Sequence, residues 1–123
     1  TQATPMITAE VLREYQRSLT VYNTALAHQQ AQLGEFKKLR KPVLREAIQT
    51  ALEQPDDALT TLFNELNVAE QQLQSMEVNL TPQHEVYQNS KKGIATLNEK
   101  IDRKVDGILA GLENRLAQTK ASI

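Results

Sequence analysis

The chain is expected to be all-α: an elongated antiparallel coiled-coil hairpin or bundle of three to four helices. Three observations predict this. Apolar residues recur at alternating steps of three and four over long stretches, the signature of a heptad seam. Ala, Leu, Glu, Gln and Lys dominate, whereas aromatics are 4% of the 123 residues and Gly and Pro number four each, a mix that favours helix. The breaks between periodic stretches coincide with prolines, which remove a backbone donor and crowd the preceding turn.

The first helix is placed at about 8–40. Leu12, Tyr15, Leu19, Tyr22, Leu26, Leu33 and Phe36 form its seam, with Gln29 as the one polar gap. Thr4-Pro5, and Thr8 with Glu10, supply start signals. Lys41-Pro42 interrupts, and a short amphipathic stretch follows at about 43–54, with Val43, Leu44, Ala47, Ile48, Ala51 and Leu52.

Gln54-Pro55-Asp56-Asp57 is a second stop and restart, because carboxylates in a first turn complement the helix dipole. The third helix, about 57–80, carries Leu59, Leu62, Leu66, Ala69, Leu73, Met76 and Leu80. Asn79-Leu80-Thr81-Pro82 ends it. Thr81 as cap with Pro82 in the first position is the clearest start signal, so the fourth helix is expected over 82–123.

Its seam is Tyr87, Ile94, Leu97, Ile101, Val105, Ile108, Leu112, Leu116 and Ile123. After Leu97 the pattern takes two successive steps of four, a stutter that locally unwinds a left-handed supercoil. The short break at Thr81-Pro82 makes helices three and four antiparallel neighbours. The whole of 1–123 is expected to be one coiled-coil module, and the missing initiator Met suggests a fragment of a longer protein.

The remaining signals weigh against catalysis. Fourteen basic and fifteen acidic residues give a net charge of −1, so there is no general attraction to nucleic acid or anionic membrane. Cysteine is absent, which excludes disulfides and thiol chemistry. No stretch approaches the roughly 20 apolar residues of a membrane span. His84-Glu85 begins like a zinc-protease motif, but Gln88 stands where the second His is required. His28 is isolated.

Asp56-Asp57 fits capping better than acid–base work. The basic run Lys37, Lys38, Arg40, Lys41 and Arg45 suits a helix C-terminus and lacks the aromatic interleaving of a base-stacking surface. Gly107 and Gly111 form a GxxxG spacing surrounded by charges, which excludes a membrane dimer motif and suggests close packing of a neighbouring helix. The expectation is a non-enzyme with no cofactor and no metal, self-associating or binding other helical proteins.

One resemblance narrows this. From Leu52 to Leu116, about half the chain, the sequence resembles the periplasmic coiled coil of bacterial exopolysaccharide chain-length determinants, the polysaccharide co-polymerases. Gln54-Pro55 matches the family's break. Leu59, Leu62, Leu66, Ala69, Glu70, Leu73 and Met76 match its Leu-rich helix. Leu80-Thr81-Pro82-Gln83-His84-Glu85-Val86 stands at its GPxHPxV junction, with Thr81 in place of the glycine and Glu85 in place of the second proline.

The resemblance implies a periplasmic segment of an inner-membrane protein. It would be anchored by flanking segments, would oligomerise around the polysaccharide machinery and would influence polymer length. The family has no catalytic residues here, so none are transferred; Thr81, Pro82 and His84 are carried over only as the junction.

Overall fold

The computed structural model describes residues 3–52 and 54–122, with side chains described from Thr8 onward. It is all-α: α1 spans Ala3–Lys38, α2 Lys41–Ala51, α3 Asp57–Asn79 and α4 Glu85–Ser122, with no strand among the described residues. Ile123, placed above in the fourth seam, lies outside the described residues. The helices divide into two compact units, where the sequence suggested one module. One unit comprises 1–38 with 109–123, the other 39–108. Residues of α4 up to Ile108 belong to the second and those from Leu109 to the first.

Proline sets the boundaries, with shifts of a few residues from expectation. α1 starts at Ala3 rather than at 8, because Pro5 is tolerated in a first turn, where its missing N–H would have had no partner. It ends at Lys38 rather than at 40. Pro42 cannot donate to the Lys38 carbonyl, and its ring would crowd that carbonyl. Arg40 is extended at ψ 153°, and the ladder resumes with the Leu44 N–H donating to the Arg40 carbonyl at 2.8 Å.

Pro55 likewise stops α2 at Ala51 rather than at 54. Leu52 turns extended after its N–H reaches the Ile48 carbonyl.

In the second unit, Leu44 and Ile48 of α2, Leu59 and Leu66 of α3, and Tyr87, Ile101 and Val105 of α4 are buried. Ile48, Leu59 and Ile101 are sealed almost completely, each contributing about 1.5–3 kcal/mol of apolar burial. The stutter explains how one helix serves two neighbours. Each step of four advances about 40° around a helix of 3.6 residues per turn, so Leu97, Ile101 and Val105 fan across a wider face than a strict heptad would.

The pair α3–α4 is antiparallel. The Tyr87 hydroxyl donates to Glu77 Oε1 at 3.1 Å near one end, and Lys104 Nζ lies 3.4 Å from Asp56 Oδ2 at the other.

The start of α3 rests on Asp56, whose Oδ1 accepts the Leu59 N–H at 2.9 Å. That hydrogen bond, helped by Lys104 and opposed by partial burial, holds the carboxyl below its ordinary pKa. A depressed pKa adds stability above the unfolded value near 3.9, and the gain disappears as pH falls through the folded value. Asp56→Ala should therefore cost about 0.5–2 kcal/mol near neutrality. Urea melts at a series of pH values should show that difference shrinking below about pH 4.

Candidate functional site

Most of the seam residues expected from the sequence are buried or half-buried, each within its own unit. Leu59, Leu66, Tyr87 and Ile101 are buried, and Leu62, Leu73, Met76, Ile94, Leu97 and Ile108 are half-buried, all in the second unit. In the first unit Leu33 and Phe36 are buried, and Leu26 and Leu112 are half-buried.

The α1 seam does not stay closed along its length. Leu33 and Phe36 are each 6% exposed, whereas Tyr22 is 44%, Tyr15 58% and Leu12 54% exposed, with Leu19 between. Lys37 Nζ of α1 meets Glu113 Oε1 of α4 at 3.0 Å. Only Lys38 follows Lys37 in α1, so the rest of α4 packs on α1 by running back towards the α1 N-terminus.

Along α1 burial falls off towards the N-terminus. Gln29, the polar gap, keeps its Oε1 buried without a hydrogen-bond partner. Val11, Leu12, Tyr15 and Tyr22 lie exposed before it.

The junction departs from expectation. Thr81 and Pro82 do not start α4, which begins at Glu85. Residues 82–83 form a turn, closed by the His84 N–H donating to the Thr81 carbonyl at 3.0 Å. His84 is the cap: its Nδ1 accepts the Val86 N–H at 3.2 Å, and its carbonyl accepts from Gln88 at 3.0 Å. Glu85 adds negative charge in the first turn. All three junction residues are exposed.

The basic run is largely engaged. Lys37 pairs with Glu113, Lys38 lies 3.8 Å from Glu35, and the half-buried Arg45 is fully committed. Arg45 reaches Asp102 Oδ1 at 2.8 Å and Asn98 Oδ1 at 2.9 Å, and donates to the Asn98 carbonyl at 3.2 Å. This clamp joins α2 to α4. Sequence reading missed it and grouped Arg45 with the surface lysines, since the partners stand more than fifty residues away.

The glycine pair also differs from expectation. A Cβ added at Gly107 or Gly111 would meet nothing within 4 Å, so no neighbouring helix of this chain approaches there. Gly107→Ala and Gly111→Ala should each stabilise by about 1 kcal/mol through helix propensity. Scanning calorimetry should show Tm rising by a few degrees for each.

Among the described residues, no group of three His, Cys, Asp or Glu side chains converges to hold a metal. Two shallow grooves along α3 are open to solvent, one lined by Gln72, Ser75, Met76, Asn79 and Leu80 and the other by Thr61, Asn64, Glu65, Val68, Ala69 and Gln72. No described helix is long and apolar enough to cross a membrane. Searches of protein-family models, curated proteins and solved structures found no match to this chain.

Proposed function

We propose that this chain is a coiled-coil spacing and association arm, working by holding partners and not by catalysis. The observation that carries this reading is the α1 seam, closed at Leu33 and Phe36 and open at Leu12, Tyr15 and Tyr22. A stripe of this kind leaves apolar surface in water until another helix covers it.

The finer reading is the periplasmic spacer and oligomerisation arm of an exopolysaccharide chain-length determinant. It rests on the resemblance across Leu52–Leu116. The turn at 81–84 between two antiparallel helices, at the position of the family's junction, supports it.

The test is the complete reading frame together with its deletion. This proposal expects an apolar span of about 20 residues on each side of the segment, and a changed length distribution of surface polysaccharide when the gene is removed. A reading frame without such spans and an unaltered polymer would refute the polysaccharide assignment. The open seam favours a second reading in that event: a helical adaptor that binds another helical protein.

A further inference from the structure

We infer that α4 carries a flexible joint at Gly107–Gly111, where its hydrogen-bond ladder opens and the helix changes direction. This goes beyond the association reading and does not depend on it.

Four observations lead there. The first is position. The chain passes between its two units at 38/39 and at 108/109. At the first passage the ladder is already broken, because Pro42 ends α1 at Lys38. At the second it is continuous, so α4 is the one described helix that runs from one unit into the other. Gly107 and Gly111 bracket that passage.

The second is the backbone. Glycine is among the weakest helix formers, because it loses more conformational freedom on ordering than any other residue. In an α-helix the N–H of residue 111 donates to the carbonyl of residue 107. One rung of the ladder therefore joins the two glycines, and both of its ends are weak. Glycine is among the few recognised causes of a sharp helix bend.

The third is that packing does not ask for glycine here. A Cβ at either position would meet nothing within 4 Å. No described neighbour comes close enough to need the missing side chain, so backbone freedom is what distinguishes these residues from alanine.

The fourth is the placing of the tethers. In the second unit Ile101 and Val105 are buried, Asp102 pairs with Arg45, and Lys104 pairs with Asp56. In the first unit Glu113 pairs with Lys37. Among the described residues, no side chain from Val105 to Leu112 makes a hydrogen bond or ion pair, and none from Asp106 to Leu112 is buried. The helix is held on both sides of the glycines and left free between them. The joint lets α4 change direction while the packing on either side is kept.

Thr96 and Asn114 are exposed and stand five full turns apart, so they share a face of α4 on either side of the joint. The described chain has no cysteine, so Thr96→Cys with Asn114→Cys places two nitroxide labels there in the full chain. A rigid helix separates these positions by about 27 Å and gives a narrow distance distribution in double electron–electron resonance. The expected result is a broad distribution reaching to shorter distances, which narrows towards about 27 Å when Gly107→Ala and Gly111→Ala are added. In hydrogen exchange, amides of residues 108–112 should exchange faster than those around Ile101. The two alanines together should slow them roughly thirtyfold. Gly93→Ala, a lone glycine inside the second unit with equally empty surroundings, should leave them unchanged.

A narrow distribution in the unsubstituted helix, or protection running evenly from Ile101 to Leu112, would overturn the joint. Broad distances and fast exchange that persist with both alanines would overturn it as well, since the glycines would then not be their origin.

Discussion

Leu66→Asp should abolish cooperative folding of the second unit, with far-UV circular dichroism losing much of its helical signal and the melting transition flattening. Leu66 is buried in α3, 7% exposed. A carboxylate forced into that position must be desolvated without compensation or protonated, and either route costs several kcal/mol. That is a large fraction of the total stability of a domain this size. Gln74→Ala, on the exposed face of the same helix, is the control and should stay within about 0.5 kcal/mol of wild type. If Leu66→Asp melted like Gln74→Ala, the seam would not be the core of the hairpin.

Ile101→Ala should cost about 2–5 kcal/mol and lower Tm by roughly ten degrees. Ile101 has no exposed surface and sits at the centre of the stutter, in the unit formed by α2, α3 and this part of α4. Removing its branched side chain leaves a void at a fully buried position, and the loss of burial adds to the cost of that void. Ile94→Ala, at a half-buried position on the same helix, should cost less. Equal losses at the two positions in urea denaturation would contradict the special role assigned to the stutter.

These two residues also mark how much was legible in the sequence. The existence of four helices, their all-α class and the α3–α4 hairpin follow from local pattern: heptads give helices, prolines give breaks, and a short break gives an antiparallel neighbour. The stutter at Leu97–Val105 was visible as a phase shift, but its use in widening the packing face was not, because phase alone does not count neighbours. The Arg45–Asp102–Asn98 clamp was illegible for a different reason. An arginine in a basic run looks like its neighbours until the fold brings a carboxylate to it.

The α1 seam shows the sharpest limit. Leu12 and Leu33 occupy equivalent heptad positions and read identically, yet one is exposed and the other buried. A heptad states that a partner is wanted; it does not say where along the helix this chain supplies one. At the junction, Thr-Pro chemistry pointed to Thr81 as the cap, and the helix instead started three residues later, where His84 offers a ring nitrogen to the Val86 N–H.

The contacts that close the second unit differ greatly in the length of chain they bridge, and that difference orders their formation in time. Tyr87 and Glu77 stand ten residues apart, whereas Arg45 and Asp102 stand 57 apart. Closing the longer loop carries the greater entropic barrier, and local contacts form fastest in helical proteins. The α3–α4 hairpin should therefore zip from its turn outwards, with α2 docking as the later event. In pulse-labelled hydrogen exchange during refolding, amides of α3 around Met76 should gain protection before those of α2 around Ile48.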